Sequence, residues 1–104
     1  MSSGVTRVAI GAYVGTGVVQ EIKGEKIDFL PRKIEIHRMT TAYDKVEWIE
    51  EMNAGCGIKT PGAGGARTAL GTGGISPLAF TGFSVGVDAS VNAVGDLYRY
   101  VATE

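Results

Sequence analysis

The sequence predicts an all-β fold, a small antiparallel β-sandwich or barrel. Three observations carry that expectation. Glycine supplies 16 of the 104 residues, about twice an ordinary usage of roughly 7%, and glycine suits turns and bulges while it disfavours long helices. Lys33 to Met39 alternates cleanly, with Ile34 and Ile36 facing one way and Lys33, Glu35 and His37 the other, the pattern of an antiparallel strand with one dry face. Short runs rich in β-branched and aromatic residues recur between turn signals along the chain, as in small sandwiches and barrels.

The first run is Val5 to Val14, in which Val8, Ile10 and Ala12 share one face and Ala9, Gly11 and Tyr13 the other. Gly15-Thr16-Gly17 marks a turn, and Val18 to Lys23 forms a short strand that stops at Lys23-Gly24-Glu25-Lys26. Ile27 to Pro31 is an extended approach, because the proline keeps Leu30 out of the helical region. Thr41 to Asn53 fits either a helix, with Tyr43, Val46, Ile49 and Met52 on one stripe, or a strand, with Val46 and Trp48 alternating with Glu47 and Ile49. A strand is favoured because its neighbours are strands.

Gly55 to Gly74 holds eight glycines and no sustained period, so it is expected to be a long loop or extended arm, either functional or mobile, or else ordered by a neighbouring subunit. Phe83, Val85 and Val87 then alternate with Ser84 and Gly86. Asp88 to Asp96 is turn-rich, with Asn and Gly suited to left-handed backbone. Leu97 to Thr103 closes the chain as a strand with Tyr98 and Tyr100 on one face. Length and pattern together give a single β domain over residues 1–104, with 55–74 as its loop or arm.

Composition narrows the function classes. Ten basic against eleven acidic residues, a net charge of −1, argues against nucleic acid as partner, since phosphate-binding surfaces carry excess Lys and Arg. No apolar run approaches the roughly 18 residues of a membrane span. Met1-Ser2-Ser3-Gly4 lacks a basic region followed by an apolar stretch, so no secretory leader is expected. A single cysteine, Cys56, and a single histidine, His37, exclude an intrachain disulfide, a multi-cysteine zinc site and a multi-histidine metal site.

Candidate chemistry is sparse. No P-loop string exists, and Gly15-x-Gly17, Gly55-x-Gly57, Gly62-x-Gly64 and Gly71-x-Gly73 all miss the third glycine of a dinucleotide fingerprint. Asp44, Glu47, Glu50 and Glu51 lie too close in sequence to face each other across a cleft, and read as a solvated face. Asp88, Asn92 and Asp96 miss the alternate-position spacing of a calcium loop and read as turn residues. His37 reads as a cross-strand polar contact. Cys56 reads as a small buried or loop thiol, because a catalytic cysteine needs a positioned base and only His37 could serve. Tyr43, Trp48, Tyr98 and Tyr100 are expected in core and cross-strand packing, with an aromatic platform as the other possibility. No catalytic, cofactor-binding or metal residue is assigned, and no enzyme activity is expected.

One resemblance adds to this reading. Gly82-Phe83-Ser84-Val85-Gly86-Val87-Asp88 through Val91-Asn92, Gly95 and Tyr98-Arg99-Tyr100-Val101-Ala102 resembles a β-rich module of tailed-bacteriophage virion proteins. Gly11-Ala12-Tyr13-Val14-Gly15-Thr16-Gly17 and Phe29-Leu30-Pro31-Arg32-Lys33-Ile34-Glu35-Ile36 are similar to its earlier segments, in the same order; the chain departs from the pattern between Thr41 and Ser76, where the glycine arm Gly55 to Gly74 has no counterpart. The resemblance implies a structural component of fibres, spikes or capsid surfaces, without catalytic residues or cofactor. One copy with no heptads or repeats suits a capsid decoration protein. The expected partners are the phage major capsid protein or other virion subunits and further copies of the chain, with no nucleic acid and no membrane. The expected location is the virion, assembled in the host cytoplasm. The alternative is a receptor- or glycan-binding module of a tail fibre or head spike, stacking sugars on Tyr43, Trp48, Tyr98 or Tyr100. A small hydrolase or ligand-binding β domain would instead need a cleft with convergent polar groups.

Overall fold

The computed structural model describes residues 7–23, 29–40, 43–62, 66–78 and 82–104. They form strands β1 (Val8–Val14), β2 (Gln20–Lys23), β3 (Lys33–Arg38), β4 (Lys45–Ile49), β5 (Cys56–Thr60), β6 (Thr68–Leu78), β7 (Gly82–Val85) and β8 (Leu97–Thr103), with one short helix, α1 (Ala89–Asn92). All strands join one antiparallel sheet in the order β1-β8-β3-β4-β5-β6-β7-β2. The sheet curls until it nearly closes into a barrel, so the all-β expectation holds. The ambiguous stretch 41–53 contributes strand β4, as favoured; its residues 41–42 lie outside the described residues.

Eight strands enclose an interior just wide enough for side chains to fill. The alternation read from the sequence decides which ones fill it. Ile34 and Ile36 of β3 face Trp48 and Val46 of β4 on one side, and Ala102 and Tyr100 of β8 on the other. All six are buried, together with Phe83 and Val85 of β7 and Ile75 of β6. Tyr13 of β1 stacks on Tyr98 at 5.2 Å and meets the edge of Phe83 at 6.4 Å, while Phe83 also packs edge-on against Tyr100 at 5.1 Å. β1 lies at one edge of the sheet and β7 beside the other, so these rings span the seam that no backbone ladder closes.

Helix α1 plugs the adjacent end. Read from sequence as turn, residues 88–96 instead begin with a helical turn, because Asp88 caps it: its carboxylate accepts from the Ser90 N–H at 2.8 Å. Two tyrosine hydroxyls anchor the turn to the barrel. Tyr13 donates to the Val91 carbonyl at 2.7 Å. Tyr98 donates to the Ala89 carbonyl and accepts from the Ala93 N–H, each at 2.7 Å. Asn92, fully buried, accepts from the Thr16 N–H and donates to the Val18 and Gly86 carbonyls. One amide thus ties the β1–β2 connection to the end of β7.

The expectation of a loop or arm over residues 55–74 is corrected. Most of the stretch is strand, β5 and the first part of β6; residues 63–65 lie outside the described residues. The glycines hid this by breaking the alternation. Among the described ones, Gly55 and Gly73 hold positive φ and Gly74 lets two backbones come close. The β5–β6 register shifts between Gly57↔Leu70 and Cys56↔Ile75, leaving Gly71 to Gly74 as a bulge. Inside it the Gly74 N–H donates to the Gly55 carbonyl and the Gly86 N–H to the Gly74 carbonyl, both at 2.8 Å. A Cβ on Gly74 would sit 2.4 Å from the Cys56 carbonyl oxygen, and one on Gly86 2.5 Å from Gly73. Val87, grouped with β7 by its alternation, lies past the strand end and is exposed.

Two tight turns follow β4. In Ile49–Met52 the Met52 N–H donates to the Ile49 carbonyl, and in Asn53–Cys56 the Cys56 N–H donates to the Asn53 carbonyl. Both hold their third residue at positive φ, 91° for Glu51 and 84° for Gly55, where glycine is the unstrained choice. Glu51→Gly is therefore expected to stabilise the protein by about 0.5–1 kcal/mol, the strain relieved outweighing the added freedom of the unfolded chain. Tyr98→Phe keeps the ring but strands the Ala89 carbonyl and Ala93 N–H, and is expected to cost about 1–3 kcal/mol. Chemical denaturation of the two variants beside the parent measures both effects.

Candidate functional site

The residues that sequence reasoning weighed for chemistry are dispersed. Asp44 is buried, 3.7 Å from Arg38 and 3.9 Å from Lys59, and its carboxylate accepts from the Gly62 N–H. Glu47 lies on the outside of β4, 2.8 Å from Lys45 and 3.9 Å from Lys33; the Lys45 hydrogen bond holds its carboxyl below the ordinary range. Glu50 faces Arg32 at 3.7 Å, and Glu51 occupies the turn described above. These four acids do not face one another across a cleft.

Asp88, Asn92 and Asp96 separate likewise. Asp88 caps α1, Asn92 points into the barrel end, and Asp96 accepts from the Arg38 guanidinium through Nε at 2.7 Å and again through NH2. His37 lies 3.9 Å from Glu35 on the outer face, opposite Lys45 and Arg99. Cys56 opens β5 opposite Ile75, so thiol and imidazole share no strand pair. Among the described residues, no three His, Cys, Asp or Glu side chains gather in a way that could hold a metal ion.

The four aromatics do not build a platform. Trp48, Tyr98 and Tyr100 are core residues, with the Trp48 indole donating to the Asn53 carbonyl at 3.2 Å; Tyr43 alone is exposed. A cleft of about 370 Å³ opens at the root of the β5–β6 hairpin. Met52, Cys56, Ile58 and Leu70 make it largely apolar, and Glu51 is the one carboxylate among the described residues that line it. The Cys56 thiol is turned to the Gly71 carbonyl at 3.6 Å.

What the molecule does present is an apolar row on its outer face, bordered by the exposed Arg99 opposite Ala12. Val8, Ile10 and Val14, on the outward side of β1, are 52%, 56% and 55% exposed. Val14 lies opposite exposed Leu97 on β8, and Val94, 76% exposed, reaches over Gly17 beside Val18. The row therefore continues from the edge strand onto the plugged end. It contrasts with the outer face of β3 and β4, where Lys33, Glu35, Lys45 and Glu47 pair with one another. Sequence reading placed Val8, Ile10 and Ala12 on one face of β1. It missed the face as a feature because inward and outward residues are equally apolar there.

Comparison with protein-family models, with curated proteins and with solved structures finds no match to this chain.

Burial raises the hydroxyl pKa of Tyr13, Tyr98 and Tyr100, in each case chiefly by desolvation. A group whose folded pKa exceeds its unfolded value stabilises the fold below the unfolded value, near 10 for tyrosine. That stabilisation is lost as pH rises towards the folded value. The protein is thus expected to unfold cooperatively in alkali, with these tyrosinates appearing in the same step as the loss of β circular dichroism. Smooth ionisation of all three with the sheet intact would contradict the burial described.

Proposed function

We propose that this chain is a structural virion protein of a tailed bacteriophage, a capsid decoration protein that docks on the assembled shell. The observation that carries the proposal is the apolar outer face running from β1 across Leu97 to Val94. Apolar surface concentrated in this way marks a place where another protein fits. The glycine-dense chain supports the reading differently from the way composition suggested. Gly74, Gly82 and Gly86 let backbones approach closely within a small barrel, and most of the described residues of 55–74 are strand. A rigid body loses little conformational freedom on docking, which suits repeated attachment to identical sites. The resemblance of 82–102 and the N-terminal segments to virion modules agrees with this use, and so does the near-balanced charge.

The glycan-binding alternative loses its stacking residues, since three of its four aromatics fill the core. The apolar face is the better-supported site of action.

The test is addition of the purified chain to phage heads that lack it, followed by co-sedimentation and copy counting by mass spectrometry. Hundreds of copies per particle are expected on the shell reading. Val94→Glu, at a site exposed enough to leave the fold unchanged, is expected to weaken attachment about tenfold or more by placing a charge in an apolar contact. No attachment, or attachment indifferent to Val94→Glu, would overturn the proposal.

A further inference from the structure

The cleft at the root of the β5–β6 hairpin has a physical origin in the bulge beside it. Gly71 leaves the ladder there and brings no side chain; a Cβ on it would meet nothing within 4 Å. The space that results is about 370 Å³, at the small end of ligand pockets, which run from roughly 300 to 1,000 Å³. Met52 and Leu70 line it and also pack against the core. The apolar lining is therefore held by the fold and exists before any ligand arrives.

One charge lies on this lining, that of Glu51. Among the described residues it is the one side-chain carboxylate with neither an ion pair nor a hydrogen bond. Asp44 and Asp96 engage Arg38, Glu21 engages Lys23, and Glu35 and Glu47 engage Lys33 and Lys45. Glu50 engages Arg32, Glu104 engages Arg7, and Asp88 caps α1. Glu51 also stands at φ 91°, whereas Gly55 fills the corresponding place of the next turn at 84°. Glycine would relieve that strain, so the carboxylate stands there at a cost in stability. Strain of this kind gathers at ligand sites.

We infer that this cleft binds a small organic cation, an ammonium group on an apolar body, with the body against Met52, Ile58 and Leu70 and the ammonium beside Glu51. Charge complementarity selects this class. An organic anion would meet Glu51 with like charge, and a neutral apolar molecule would leave the carboxylate unused. A bare divalent cation would find too few oxygen ligands, since no other acid joins Glu51 there. Glu51 is exposed, so its attraction is that of a surface pair, a preference of about threefold to fivefold. Apolar contact supplies the rest of the binding. The inference goes beyond the shell reading and does not depend on it, because it concerns the purified chain alone.

The test is titration of the purified wild-type chain with hexylammonium, hexanol and hexanoate, read from the methyl resonances of Met52, Ile58 and Leu70. Saturable shifts are expected at these methyls. Hexylammonium should bind about threefold to fivefold more tightly than hexanol, and hexanoate should bind most weakly. Glu51→Gln should bring hexylammonium level with hexanol. Glu50→Gln removes the neighbouring acid, which Arg32 already holds, and should leave the preference unchanged. No saturable shift at these methyls would overturn the inference, as would shifts confined to the outer row at Val14 and Val94. So would equal affinity for the three probes, or a preference that survives Glu51→Gln or falls equally with Glu50→Gln. The ranking of the probes on the wild-type chain decides the matter even if a variant misfolds.

Discussion

The fold depends on how an open sheet is held shut. β1 and β2 do not pair, so the seam is closed by side chains, and the polar part of that closure passes through Asn92. A buried amide left without partners is costly, whereas one with its acceptor and both donors engaged fixes a single arrangement of the groups around it. Here it fixes the β1–β2 connection against the end of β7. The rings of Tyr13, Phe83, Tyr98 and Tyr100 supply the apolar part. Tyr13 and Tyr98 belong to both parts, since their rings lie in the core and their hydroxyls hold α1. The plug and the core are therefore one unit.

Electrostatics has a supporting role at the same end. Arg38 is held between Asp96 and Asp44, and Lys59 approaches the same Asp44 carboxylate oxygen. These groups join the strand ends of β3 and β5 to the loops before β4 and β8. The exposed pairs on β3 and β4 add little, as surface ion pairs usually do, but they keep that face wet and so leave the β1 side as the apolar one.

Much of this was legible in the sequence, for a physical reason. Where one face of a strand is dry and the other wet, as over Lys33 to Met39, a period of two reports the fold directly. Tyr98 and Tyr100 were placed on one face by the same rule. The rule failed where side chains stop reporting environment. Over residues 55–74 glycine carries no alternation, and strands dense in it read as loop. At Asp88 a capping aspartate looked like any turn residue. On β1 both faces are apolar, so the inward face was clear only from Tyr13 packing on Tyr98, and the outward one became a candidate surface only once its exposure was known. Long-range partners, such as Asn92 with residues 16, 18 and 86, leave no local trace in a chain.

The bulge at Gly71 to Gly74 separates two stretches of the β5–β6 ladder that follow different registers. On one side Cys56 pairs with Ile75; on the other Gly57 to Lys59 pair with Leu70 to Thr68, while Ile58 to Thr60 also pair with Glu47 to Lys45 of β4. A slip of β6 against the outer part of β5 can be taken up by the four intervening residues before it reaches Ile75, whereas β5 itself is locked by its pairing with β4. Any tolerance to a change of length is thus confined to the β6 side of this ladder, and the wall from β3 to β5 is insulated from it.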